Sequence, residues 1–434
     1  MQESPQSNTK KWVARFFTIW GGQSFSLFGS ALVQFALVWW LTQKTGSATI
    51  LATATLVALL PQIILGPFAG ALVDRWNRRL IMIFADGFIA TATLGLIVLF
   101  ASGKIQVWHV YVIMAIRSLG GSLHFPAMHA STSLMVPEKH LARVAGMNQT
   151  LNGVVNIIAL PTGAVLIGVL PMQNVLLIDI GTAMLAILPL LFLAIPQPVR
   201  DHGAKPDGKE DKPGFLQEVR EGLTYVAAWP GLLAIMIMAT IINFLLTPTG
   251  SLMPLLITKH FGLGALQFGL MDSAWGFGVI AGGLLLSLWG GFKRKVVTSM
   301  VGIIGIGLGI TIVGLAPSNL YVMAVVGMAL CGFMNPITNG PLFAVLQSAV
   351  RPDMQGRVMS LVASAAKAMS PLSLMVAGPV SDWVGIRTWY LTGGVLSLLM
   401  GITGFFIPAL MNIEKNHNGL VVESVKTIPT PEQI

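Results

Sequence analysis

Twelve long apolar stretches divide this sequence, and short polar breaks separate most of them. They cover residues 14–42, 48–73, 79–102, 107–136, 143–170, 173–195, 230–258, 265–290, 295–316, 319–349, 356–381 and 388–410. A bilayer core takes about 20 residues of α-helix, and every stretch reaches that length. The breaks carry turn chemistry, as in Lys44-Thr45-Gly46-Ser47 and Ala316-Pro317-Ser318-Asn319. The pattern predicts an all-α polytopic membrane protein with twelve transmembrane helices.

Composition agrees. Of 434 residues, 54% are hydrophobic and 10% are charged, and the mean hydropathy is +0.76. A soluble domain carries roughly 25% charged residues, so lipid is the natural solvent for much of this surface. The 47 glycines suit helices that must approach closely where no hydrophobic force drives them together. Cys331 is the one cysteine, which excludes a disulfide framework or a thiolate metal site within the chain. Residues 1–11 are polar and lead into a long apolar span, so the first helix is expected to act as its own insertion signal rather than as a cleaved leader.

The charges give the spans a direction. With both termini on one side, twenty of the 26 Lys and Arg fall on that side. The opposite side receives Lys44, Lys104, Lys259 and Arg387, and two more, Arg117 and Lys367, lie inside spans. The positive-inside rule makes the basic side cytoplasmic, with both termini there. The net charge of +9 is thus a signal of topology and not of nucleic-acid binding.

One connection is long. Residues 197–214 are rich in Pro, Gly and charge and read as a flexible linker. Phe215, Val219, Leu223 and Val226 then recur at helical spacing, which predicts an amphipathic helix on the cytoplasmic face. The expected organisation is a tail over 1–13, a six-helix bundle over 14–196, a linker over 197–229, a second six-helix bundle over 230–410 and a tail over 411–434.

The two bundles read as copies. Val136-Pro137-Glu138 through Arg143-Val144 precedes span 5, and Val350 through Arg357-Val358 precedes span 11, 214 residues on. Pro126 matches Pro341 at an offset of 215, and the basic cluster ending at Arg79 matches the one ending at Lys295 at 216. Three matches at nearly one offset argue for a duplicated six-helix unit, a common mark of secondary transporters.

The loop after span 2 reads Gly70-Ala71-Leu72-Val73-Asp74-Arg75-Trp76-Asn77-Arg78-Arg79. It resembles the signature loop of the major facilitator superfamily, G-x-x-x-D-R-x-G-R-R/K, at the place and on the side where that family carries it. Asn77 stands where the family has Gly; Asn tolerates positive φ better than most residues, which keeps a tight turn feasible. Gly70 would let helix ends approach, and Asp74 could cap a helix or pair with Arg75, Arg78 or Arg79, holding one state shut on the cytoplasmic side. Asp86 follows closely and is expected to support the loop.

Further matches look like the macrolide-efflux subgroup of that superfamily. They include Trp20-Gly21-Gly22-Gln23, Leu41-Thr42-Gln43-Lys44-Thr45-Gly46-Ser47-Ala48, Leu60-Pro61, Ile81 to Asp86, Ile116-Arg117-Ser118-Leu119-Gly120 and Gly356-Arg357-Val358. The resemblance implies proton-driven export of hydrophobic drugs, hence antibiotic resistance, by a monomer in the bacterial cytoplasmic membrane, with no cofactor. Related exporters carry siderophores, which keeps export of a secreted metabolite open as an alternative. A non-transporting membrane sensor is a more distant one. In span 5 the antiporter element G-P-x-x-G is less well kept: the place reads Leu160-Pro161-Thr162-Gly163-Ala164, where the Pro remains and the leading Gly is replaced by Leu160.

Charges within spans are costly and mark function. At about 1.5 Å per residue, Arg117 and Lys367 fall near the midplane and Asp179 and Asp272 in the outer third. An Arg in span 4 resembles part of the superfamily's proton-coupling motif, and Asp179 on span 6 is its possible partner. A fixed cation favours the ionised form of a nearby carboxylate, and its withdrawal favours proton uptake. Asp272 and Lys367 can pair in the same way, or Asp272 can carry the proton or meet a cationic drug.

Polar stripes mark the expected cavity. Asn148, Asn152 and Asn156 share one face of span 5, as Gln23, Ser30 and Gln34 do in span 1 and Asn335 and Asn339 in span 10; Asn243 lies in span 7. In the superfamily, spans 1, 4, 7 and 10 line a central cavity. His124 is a possible proton relay. No ligand spacing for a metal and no Walker loop occurs in the sequence, and no catalytic set is visible, so the reading is a transporter and not an enzyme.

Overall fold

The computed structural model describes residues 5–197, 223–350 and 354–414. Residues 215–222 of the expected amphipathic segment, most of the linker and residues 415–434 lie outside them. Among the described residues there is no strand. Twelve helices of 19 residues or more follow one another. They are α1 (Pro5–Thr45), α2 (Ala48–Arg75), α3 (Arg78–Ala101), α4 (Val107–Met135), α5 (Glu138–Val169) and α6 (Met172–Phe192). After the linker come α7 (Pro230–Leu255), α8 (Ala265–Trp289), α9 (Lys295–Leu315), α10 (Tyr321–Ala349), α11 (Gln355–Val384) and α12 (Ile386–Gly404).

Ten of the twelve are long and apolar enough by themselves to cross a membrane. The other two are α4, diluted by Arg117 and three histidines, and α12, diluted by Arg387, Trp389 and Tyr390. Large apolar side chains stand exposed, Leu288 at 88% and Phe192 at 81% among them, which water would penalise and lipid does not.

The helix ends differ from the apolar scan for chemical reasons. The scan starts span 5 at 143, but α5 begins at Glu138, just after Pro137; hydropathy cannot see a polar first turn that caps favour. The last apolar stretch breaks after Gly404, and residues Pro408–Met411 form a separate short helix, α13. At 41 residues α1 is about 60 Å long, well beyond a hydrocarbon core.

The chain forms two compact units. The first comprises Met1–Asp207, Ser251–Ser273 and Leu374–Trp383. Here α1 packs on α6 and α5, while α4 packs on both α2 and α3. Close approach of α1 to α6 depends on Gly29, where an added Cβ would collide with the Thr182 side chain. Phe16, Ile19, Val73, Met82, Ala127 and Leu190 form a fully or almost fully buried core near the α2–α3 turn.

The second unit comprises Gly208–Gly250, Ala274–Ser373 and Val384–Ile434. Its centre is α9, which packs on α10 and α12. Its glycines make this possible: a Cβ at Gly307 would sit 2.7 Å from Cα of Leu398. Residues 223–228, the described end of the linker segment, are helical. Val226 and Trp229 are buried in this unit's core with Leu232, Val296, Val358 and Leu410.

Candidate functional site

Within the first unit a cavity of about 840 Å³ opens between α1, α2, α3, α4 and α5. That is the size range of sites that enclose a drug-sized molecule. From α1 come Trp20, Gln23, Ser30 and Gln34, from α2 Thr55 and Gln62, and from α5 Asn148 and Asn152. Helix α3 contributes Asp86, and α4 contributes Arg117, Ser118, His124, Phe125 and His129. A larger hollow of about 1060 Å³ lies outside, bounded by α2, α3 and α4. Its walls are exposed apolar side chains such as Phe84 and Phe88, which suit lipid rather than a polar ligand. Helices α2, α3 and α4 line both spaces; along α4, Leu119, Gly120 and Leu123 face the hollow, and Ser118, Gly121 and His124 face the cavity.

The Arg117 guanidinium and the Asp179 carboxylate form a buried pair, Nη1 to Oδ2, at 2.6 Å. Thr93 of α3 sits between them, accepting from Arg117 at 2.9 Å and lying 3.2 Å from Asp179. From α1, the Ser30 hydroxyl reaches Asp179 and the Ser30 carbonyl accepts from Arg117, both at 3.5 Å. Four helices meet at this network. Arg117 touches the cavity, while Asp179 stands behind it, 2% exposed. Such a pair costs several kcal/mol to desolvate and is tolerated only with this kind of hydrogen-bond support.

Asp86 is not part of the signature loop's contacts. It faces the cavity, 5% exposed, with Gln23 Nε2 donating to its Oδ2 at 3.3 Å and His124 Nε2 lying 3.4 Å from its Oδ1. Trp20 donates its indole N–H to Asn148 Oδ1 at 2.7 Å, joining α1 to α5. Asn156, the third member of the α5 stripe, is exposed and does not line the cavity.

At the signature loop, Arg78 is buried and donates to the Ala130 carbonyl of α4 at 2.7 Å. Arg79 reaches the end of α6, donating from Nε to the Leu190 carbonyl and from Nη2 to the Leu191 carbonyl, the latter at 2.6 Å. These carbonyls have no partner in their own helix, so a guanidinium there satisfies them and meets the negative end of the helix dipole. Arg75 is exposed. The side-chain settings of Gly70 and Asp74 lie outside the described residues.

Asn77 corrects one expectation. Its φ is −68°, and its side chain accepts from the backbone N–H groups of Arg79 and Leu80. It is the N-cap of α3 and not a positive-φ turn residue. Positive φ appears instead after α8, at Gly290 and Gly291 (73° and 81°).

Other anticipated residues are more scattered. Asn243 donates to the Ala239 carbonyl of its own helix, and Asn339 donates to that of Asn335. Asp272 is half-buried and Lys367 exposed, and neither makes a hydrogen bond or ion pair among the described residues. One important carboxylate escaped the sequence reading: Asp382, one residue past the span's expected end, accepts from Ser47, Ala48 and Thr49 at the start of α2. An acid in the last turn of a helix opposes that helix's own dipole, which is the signal that a partner elsewhere holds it.

The sequence profile of the Major Facilitator Superfamily matches residues 19–374. The chain belongs to that superfamily. It is 33% identical over 404 residues to macrolide efflux protein A of Streptococcus pyogenes, covering 93% of this chain and 98% of that protein. It is 26% identical over 399 residues to the multidrug efflux pump Tap of Mycolicibacterium fortuitum, covering 89% and 94%. Its fold resembles a crystal structure of a peptide transporter with a TM-score of 0.68 at 14% identity, covering 92% of this chain and 95% of that one. This member of the major facilitator superfamily is therefore a multi-pass membrane transporter with the superfamily's twelve-helix fold.

Proposed function

We propose that the chain is a secondary active exporter of hydrophobic drugs, macrolide-like antibiotics among them, working by proton antiport and alternating access in the bacterial cytoplasmic membrane. The observation that carries this reading is the cavity. It combines apolar and aromatic walls with amides and hydroxyls, which suits a large ligand that is mostly apolar and polar at a few points. The similarity to macrolide efflux protein A over nearly the whole chain supports the substrate class.

The Arg117–Asp179 pair supplies the coupling. While it is closed, the Arg117 cation meets the Asp179 carboxylate; a conformation that draws Arg117 away leaves that buried carboxylate without its counter-charge, and this is the proposed link between transport and the gradient. Alternating access exposes the site to each side of the membrane in turn, with both termini cytoplasmic. Reconstitution into vesicles with an imposed pH gradient tests this. A macrolide is expected to move faster with the gradient than without it. Equal rates, with and without, would refute proton coupling; no movement of any candidate drug would refute export.

A further inference from the structure

We infer that Ser273 is a positioning residue of the transport cycle: its hydroxyl stands in for the backbone N–H that Pro161 lacks, and this one bond sets how readily α8 parts from α5. The inference rests on the exporter reading, in which the site opens to each side of the membrane in turn.

The backbone of α5 carries the argument. A proline inside a helix has no N–H to give to the carbonyl four residues before it. Pro161 lies inside α5, so the carbonyl it leaves without a ladder partner is that of Ile157. The Ser273 hydroxyl of α8 donates to that carbonyl at 2.7 Å. Ser273 is buried, 6% exposed, so water competes little for the bond. One turn earlier on the same face of α8 stands Gly269. A Cβ there would lie 2.9 Å from both the N and the Cα of Pro161. The missing side chain lets α8 rest on the proline itself and brings the hydroxyl within reach of the freed carbonyl.

The same chemistry recurs in the second unit. Pro248 lies inside α7, and the Phe244 carbonyl four residues before it accepts from the Ser373 hydroxyl of α11. The two bonds differ in what they join. Helices α7 and α11 fall in one copy of the sequence repeat, whereas α5 falls in the first copy and α8 in the second. Residues 265–273 of α8 nonetheless belong to the first compact unit, with α5. Alternating access moves one repeat against the other. A bond inside one copy persists through that motion; the bond from α8 to α5 is made in one state and broken in another. Breaking it strips the Ile157 carbonyl of its remaining donor, where hydrocarbon offers no replacement. With an ordinary residue at position 161, the carbonyl would keep its ladder bond and the serine would matter little. Proline thus makes the hydroxyl contact selective for one state.

The test is a mutant cycle read by distance in the purified full chain. Nitroxide labels go on Val169→Cys and Leu266→Cys, at the last turn of α5 and the first of α8, where both parent side chains are exposed; Cys331→Ser removes the natural thiol. Two distance populations are expected, joined and separated. Ser273→Ala should raise the ratio of separated to joined about fivefold, the equivalent of about 1 kcal/mol for one hydrogen bond. In a Pro161→Ala background, where residue 161 supplies its own N–H, the same change should move the ratio less than twofold. Ser373→Ala should also leave it within twofold. Equal shifts in both backgrounds, a shift with Ser373→Ala as large as with Ser273→Ala, or one unchanged distance throughout would overturn the inference. A Ser273→Ala protein that fails to fold and is rescued by Pro161→Ala supports it; failure in both backgrounds counts against it. Gradient-driven macrolide transport by the unaltered protein is followed alongside. If the cycle holds and nothing is transported, the exporter reading falls and the α5–α8 bond stands. If transport is seen and the cycle fails, only the role of Ser273 falls.

Discussion

Asp382 and Thr49 are joined twice: one carboxylate oxygen, Oδ2, accepts from the Thr49 backbone N–H at 2.9 Å and from its hydroxyl at 2.7 Å. The Ser47 hydroxyl and the Ala48 N–H add two more bonds, at 2.8 and 2.7 Å. Asp382 thus neutralises the open N-terminal turn of α2 from the last turn of α11, removing a charge from the wrong end of one helix and placing it at the right end of another. Gly378 makes room, since a Cβ there would lie 2.8 Å from Cα of Thr49.

If this contact is a unit, Asp382→Ala and Thr49→Val will not add. A double-mutant cycle read by thermal unfolding in detergent is expected to give a coupling of about 0.5–1.5 kcal/mol, the lower range because Asp382 is exposed to solvent. Strictly additive losses would show that the two residues act apart.

The Arg117–Asp179 pair should separate folding from transport. Arg117→Met alone leaves a buried carboxylate uncompensated and is expected to cost about 3–5 kcal/mol. The double variant Arg117→Met with Asp179→Leu should recover much of that stability, because buried pairs are often replaceable by apolar side chains of similar volume. Gradient-driven transport is expected to stay lost in the double variant. Recovery of transport together with stability would make the pair purely structural.

Arg79 is predicted to be irreplaceable by lysine. Its planar fork reaches two successive carbonyls, Leu190 and Leu191, at the end of α6. A lysine is a single point of charge on a flexible stem. Arg79→Lys and Arg79→Ala should therefore both lower the unfolding midpoint, with a loss of about 1–3 kcal/mol for alanine and at least half of it for lysine. A lysine variant as stable as the parent would contradict the two-carbonyl clamp.

For Asn77 the ranking of substitutions is diagnostic. As an N-cap it should tolerate Asp fully, lose a few tenths of a kcal/mol with Gly and lose about 1 kcal/mol with Ala. A residue needed for positive φ would favour Gly over every alternative. Thermal unfolding of the three variants tells these cases apart.

The twelve-helix architecture was legible because it depends on one-dimensional quantities: the length of apolar runs and the breaks between them. The Arg117–Asp179 pair was legible for a similar reason. Opposite charges are scarce in long apolar spans, so those present seek each other. Asp86 was misplaced because nearness in sequence to Arg79 says nothing about which face of α3 it occupies; its partners Gln23 and His124 lie 63 and 38 residues away. Thr93, an ordinary residue in a lipid-spanning helix, gave no signal of its place between Arg117 and Asp179. Asp382 was legible only as an anomaly, an acid where its own helix disfavours one.

The cap at Asn77 also bears on the unfolded chain. Glycine at this position, as in the superfamily's pattern, would be free to sample backbone states that asparagine seldom visits. Because φ here is −68°, the turn has no use for that freedom, and keeping it would only enlarge the disordered ensemble from which the loop must fold. Asparagine restricts that ensemble, which is part of the few tenths of a kcal/mol that separate it from glycine at an N-cap. The departure from the family's glycine therefore favours the folded loop from both sides of the equilibrium.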